Sequence, residues 1–262
     1  MNKKKILIFV IVIIFVIGIC FAFIKLFDFE NSEEENNVPE IVVNEELVDK
    51  LYSYLIENNE MELNTLHSAF YTTYNTLSVD AIQTMIYQYI INYDEFALET
   101  LTPQELGSIV NNSSGFTPLY KISLDVFLDN LSTIFGPDIT FTPKAFNYSK
   151  NIRAHYDEET NYYYIYNLNN EEEITFIEYK NMTRYALTEN NTIIKIYDYY
   201  LKCDTTTNIC YNDERRRNVN DFITYSPNLN IETYINNLVT YEHTFKYDTQ
   251  TEEFYWVSSQ EV

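Results

Sequence analysis

The chain has 262 residues, with 17 lysines and arginines against 39 aspartates and glutamates, for a formal charge of -22. A polyanion of this strength repels phosphate, because tight nucleic acid binding relies on cations that displace counterions, so nucleic acid is excluded as a partner. Gly18, Gly107, Gly115 and Gly136 are the only glycines and no two are close together, which rules out a Walker loop and a dinucleotide fingerprint. The histidines His67, His155 and His243 are far apart in sequence, and no C-x-x-C or H-E-x-x-H spacing exists. No local zinc site can therefore be written, and neither a metal nor a cofactor is expected.

Residues Ile6 to Phe27 form an apolar run interrupted only by Lys25. At about 1.5 Å per residue it matches the ~30 Å of bilayer hydrocarbon, so a membrane-spanning helix is predicted. Lys25 sits near the far end, where its ammonium can reach the headgroups. Lys3, Lys4 and Lys5 precede the run, and Asp28, Glu30, Glu33, Glu34 and Glu35 follow it. This asymmetry keeps residues 1–5 in the cytoplasm and puts the rest outside the membrane. Phe21-Ala22-Phe23 is too bulky for a signal-peptide cleavage site, and Ile19 stands where a lipoprotein site before Cys20 wants a small residue, so an uncleaved anchor is expected. Beyond residue 27 the chain has 13 basic against 39 acidic side chains. Such a domain favours cations or a basic partner.

Residues 28–43 read as an acidic spacer, with Glu33-Glu34-Glu35 and Pro39 and little to bury. A helical region is expected over 44–117. Asn44 caps a segment to Ile56 in which Leu47, Val48, Leu51, Tyr54 and Leu55 recur at helical spacing. Met61 to Thr76 shows similar intervals and predicts a second helix, weakened by Thr72 and Thr73. Ser78 caps a third, to Tyr93, with Ile82, Ile86 and Ile90 on one stripe. Thr102-Pro103-Gln104-Glu105 has the order of a capping box and opens a short helix to about Val110, and Asn111 to Thr117 reads as a loop.

Residues 118–262 predict an α+β domain. Ser123 to Phe135 is an amphipathic helix closed by Gly136-Pro137. After Pro143 come predicted strands at Ile152 to Tyr156, Tyr162 to Leu168, Ile174 to Leu187, Thr192 to Lys202, Val239 to Tyr247 and Phe254 to Ser259, with one more helical turn at Asn230 to Asn237. Short polar turns between neighbours demand hairpins, hence a mainly antiparallel sheet that the Leu124 to Phe135 helix covers. A helix laid across a curved sheet is similar, in order of elements alone, to the cystatin and nuclear-transport-factor-2 layouts. That similarity implies nothing about activity.

Alternation sends Tyr162, Tyr164 and Tyr166 to one face of a strand, where tyrosines could stack on a sugar or peptide. Arg215, Arg216 and Arg217 form the one basic cluster beyond the anchor and either pair with the domain's own acids or dock an anionic group. Cys203 and Cys210 flank a short turn and either pair across a hairpin or remain thiols; paired, they would contribute roughly 2 to 3 kcal/mol. The stretch from Asp204 fails as a calcium loop because Ile209 occupies the glycine position and Arg215 the closing glutamate. No nucleophile is singled out, so no catalytic residue is assigned. These features together predict a single-pass membrane protein with an acidic, non-catalytic binding or scaffolding domain outside the membrane, meeting an extracellular protein or a glycan. The alternatives are a cell-envelope hydrolase using His155 or His243 with a carboxylate, and an accessory subunit of a membrane complex.

Overall fold

The computed structural model describes residues 41–55, 65–67, 71–106, 117–149, 151–168, 176–188, 191–212 and 223–262. The apolar run 6–27, nearly all of the acidic spacer, the loop 111–116 and Arg215, Arg216 and Arg217 lie outside the described residues. Among the described residues, no helix is long and apolar enough to cross a membrane.

Residues 42–262 form one compact α+β unit. Its helices begin where short polar side chains cap exposed amides. Asn44 accepts from the Leu47 amide at the start of α1 (Glu45–Ser53), Ser78 from Ala81 at the start of α2 (Val79–Tyr93), and Ser123 from Val126 at the start of α3 (Leu124–Phe135). The α2 stripe Ile82, Ile86 and Ile90 is buried, which stabilises the helix by about 1.5–3 kcal/mol per side chain. Gly136 ends α3 with φ of 97°, a conformation that suits glycine.

The strands are β1 (Tyr71–Thr73), β2 (Thr117–Ser123), β3 (Phe146–Asn147), β4 (Ile152–Asp157), β5 (Tyr162–Asn167), β6 (Phe176–Leu187), β7 (Ile193–Asp204), β8 (Ile209–Tyr211), β9 (Thr240–Asp248) and β10 (Glu253–Glu261). All strand pairs are antiparallel, as hairpin-length turns require. They do not form one meander but divide into two sheets: a larger one in the order β1-β10-β9-β7-β6 with β8 beside β7, and a smaller one in the order β2-β5-β4-β3. Helix α3 bridges the two. Phe127 near its start stacks on Tyr163 of β5, and Phe135 at its end meets Trp256 of β10 edge-on.

The helix expected from Met61 to Thr76 is not formed over the part described. Thr65–His67 is a 3-10 turn, β1 follows, and Tyr74–Thr76 is another 3-10 turn. The reason is local and tertiary together. Thr72 and Thr73 are β-branched, and β10 offers a free edge whose Ser258, Ser259 and Gln260 take up the three residues of β1. The expected loop up to Thr117 gives way at that residue to β2, which pairs with β5 and so makes the tyrosine-rich strand internal to its sheet.

Candidate functional site

Strand β7 reads IIKIYDYYLKCD, and its alternation directs Ile194, Ile196, Asp198 and Tyr200 to one face. All four are buried, so the Asp198 carboxylate is committed to the core. On the adjacent β9, Tyr241, His243 and Phe245 share that face and are fully buried. The register pairs Ile196 with His243 and Asp198 with Tyr241, which sets His243 diagonally from Asp198. His243 Nε2 lies 2.8 Å from Asp198 Oδ1. The third member arrives from the 3-10 turn Thr65–His67: His67 Nε2 is 3.1 Å from both oxygens of the same carboxylate. The Tyr52 hydroxyl, from α1, donates to Asp198 Oδ2 at 3.1 Å.

Two further shells fix the imidazoles. His67 is stacked on Tyr200, with ring centroids 5.1 Å apart, and meets the edge of Tyr241 at 4.5 Å; the Tyr241 hydroxyl also donates to the His67 carbonyl. His243 Nδ1 is 2.6 Å from Ser259 Oγ, which accepts from Trp256 Nε1 at 3.0 Å. Trp256 and Ser259 are three apart and would point to opposite faces of a regular strand. A β-bulge between Trp256 and Ser258 shifts the register by one and brings both to the core face.

The electrostatics sort the members. Burial pushes the Asp198 carboxyl up, but the two imidazoles and their hydrogen bonds outweigh it and hold it well below the usual carboxylate range, so Asp198 is the ionised group. Burial pushes the His67 imidazole down against the pull of Asp198, making it the neutral partner. Burial and then the Asp198 charge push the Tyr52 phenol up, so it remains a donor. A neutral His67 that donates from Nε2 leaves Nδ1 bare, and this atom is buried with no hydrogen-bond partner. Both histidines are 0% exposed and Asp198 is 1% exposed, so the cluster has no face on which a substrate could accept or give a proton.

Beside the cluster is a pocket of about 410 Å³, with Tyr52, Tyr179, Tyr199, Glu178, Lys180 and Asn181 in its wall. It lies at β6, the terminal strand of the larger sheet. Glu178 makes ion contacts with Lys202 at 3.2 Å and Lys180 at 3.4 Å, and Lys180 Nζ sits 5.6 Å over the Tyr200 ring. Neither Glu178 oxygen has a hydrogen bond, nor does Lys180 Nζ.

Tyr162, Tyr164 and Tyr166 share the outer face of the smaller sheet, while Tyr163 and Ile165 point to its core. The outer face is partly occupied. Tyr162 donates to Glu99 and has Lys121 Nζ 4.4 Å over its ring; Tyr164 is buried and its hydroxyl lies 3.4 Å from Glu105. Lys121 in turn bonds Glu105 at 2.8 Å. Cys203 and Cys210 are directly opposite in the β7–β8 pairing and form a disulfide inside an apolar cluster with Leu201, Ile223 and Leu238. His155 is exposed on β4 opposite Tyr164. His67, Asp198, Tyr52 and Ser259 belong to no local motif of the sequence. One signal was present: an aspartate inside an apolar strand, on the same face as Ile196 and Tyr200, is a charge that must find partners in the core.

No protein-family model, no curated protein and no solved structure matches this chain.

Proposed function

We propose that the chain is a single-pass membrane protein, anchored through residues 6–27 with its amino terminus in the cytoplasm, whose acidic α+β domain binds a ligand outside the membrane without catalysis. The anchor rests on the apolar run and its flanking charges, and the Cys203–Cys210 disulfide supports an oxidising compartment. Binding rests on one observation, the pocket at β6. Its tyrosine rings offer apolar faces with hydroxyl tips, and Asn181, Asn230 and Glu232 add polar groups to the same wall. That combination suits a hydroxyl-rich ligand such as a glycan fragment, which stacks a ring face and exchanges hydrogen bonds at its rim. The hydrolase reading draws less support, because His243 has its carboxylate but no opening to solvent.

Saturation-transfer NMR on the full chain in detergent, using soluble cell-wall glycan fragments as the probe, tests this. Transfer to the fragments is expected, together with about tenfold weaker binding in Tyr179→Ala and in Asn181→Ala, as the loss of one good contact implies. Absence of transfer, or transfer unchanged in both variants, rejects the pocket. Proteolysis of intact cells tests the topology independently: external protease should shorten the chain to its amino-terminal stub.

A further inference from the structure

The His67, Asp198 and His243 donors come from a 3-10 turn and two strands and converge on one point in the core. Their three ligand atoms lie within 4.8 Å of one another. The nitrogen-to-oxygen separations, 2.8 Å for His243 and 3.1 Å for His67, are somewhat shorter than the edge of a tetrahedron built on ligand bonds of about 2.0–2.2 Å, which is roughly 3.3–3.6 Å, so a small outward shift of the donors would admit the ion. Both histidines present Nε2 to the carboxylate, so the two imidazoles and Asp198 face inward on a common centre rather than lying in a chain.

We propose that His67, Asp198 and His243 form a buried structural site for a divalent transition ion of the zinc type. Two imidazoles and one carboxylate match the ligand preferences of zinc, whereas calcium and magnesium call for oxygen donors throughout. At His243 the surroundings follow the pattern that orients metal ligands, its non-ligating nitrogen held by Ser259 and Ser259 by Trp256, whereas His67 Nδ1 has no such partner and its ring is held by Tyr200 and Tyr241. The Tyr52 hydroxyl, which donates to Asp198 Oδ2 at 3.1 Å, orients the ligating carboxylate from outside the site. A site with no solvent contact holds its ion for folding rather than for chemistry. The ion would tie the Thr65–His67 turn to the paired strands β7 and β9. The strongly acidic chain also raises the local concentration of cations.

The test uses the full chain in detergent, purified through a tag without histidine, exposed to zinc and then passed through gel filtration. Close to one zinc per chain is expected, with cobalt giving the intense visible absorption of a tetrahedral centre, and strong chelators lowering the melting temperature. His67→Ala and His243→Ala should retain less than a tenth of the ion. Ser259→Ala keeps all three ligands and should bind zinc about 10–100-fold more weakly, the usual effect of removing an outer-shell partner. If the ligand variants unfold, the wild-type stoichiometry and cobalt spectrum decide alone. A wild-type chain that retains less than a tenth of an ion, or retains it equally in folded His243→Ala, overturns the proposal: the cluster is then a hydrogen-bonded network, or the ion sits on the acidic surface.

Discussion

His243 and Asp198 meet Nε2 to Oδ1 at 2.8 Å although the strand register does not pair them; Asp198 is opposite Tyr241, and His243 opposite Ile196. The contact is a diagonal one across β7 and β9, and it is completed by His67 and Tyr52 from outside the sheet. Asp198→Ala removes the acceptor that all three share and strands their polar atoms in the core. A loss of about 3–5 kcal/mol is expected, as for breaking a buried charged cluster from one side. Urea unfolding of the wild type and the variant measures it, and a loss under about 1 kcal/mol would mean that the cluster adds little to the fold.

The Cys203–Cys210 bridge closes a loop with a sequence separation of 7. Constraining so short a loop stabilises the folded state by about 2.5 kcal/mol in the chain-entropy description. Both sulfurs are buried in the cluster under Leu238 and Ile223. Mild reductant should therefore leave the native protein oxidised, with free thiols appearing only after denaturation. Thiol labelling followed by mass spectrometry checks this; rapid labelling of the native chain would contradict the buried bridge.

Glu105 receives hydrogen bonds from Lys121 and then from Thr102, and these hold its carboxyl down at about 2, against an ordinary value of 4.5. Because the folded value is depressed, the stabilisation is full above about pH 4.5 and disappears as pH falls towards 2. Glu105→Gln should lower the melting temperature at pH 7 and give a flatter acid limb between those values. Parallel limbs for wild type and variant across that interval would show that Glu105 does not carry this linkage.

Gly136 has φ of 97° and ψ of 165°, and an added Cβ would come within 3.0 Å of the Tyr255 ring. The backbone conformation strains a side chain at the end of α3, and the Tyr255 ring would have to shift to admit one. Gly136→Ala should cost about 1–3 kcal/mol, the range for a residue forced into a glycine-only region. Calorimetry of the variant checks it, and an unchanged melting temperature would mean that the helix end relaxes without cost.

Local chemistry made most of the elements legible in the sequence. The caps at Asn44, Ser78 and Ser123 and the apolar stripes behind them write α1, α2 and α3, and tyrosine-rich alternation between polar turns writes β4, β5, β6, β7, β9 and β10. These are signals of period and of single side chains, which a chain carries wherever it is read. The two- and three-residue strands β1, β3 and β8 were not legible, because so few residues become strand only when a partner edge is present, and the seven-residue β2 runs straight into the Ser123 cap of α3.

Tertiary structure alone decided the rest. His67 is 131 residues from Asp198, and His243 is 45. Ser259 reaches His243 only because a bulge in β10 turns it to the core side. Register and bulges are set by how whole strands bury their apolar faces against one another, and a one-residue slip would turn Asp198 and His243 away from the core. Composition and local pattern thus determined the acidity of this chain and its α+β character, while the convergence of two imidazoles on a carboxylate is a product of long-range pairing that no local spacing encodes.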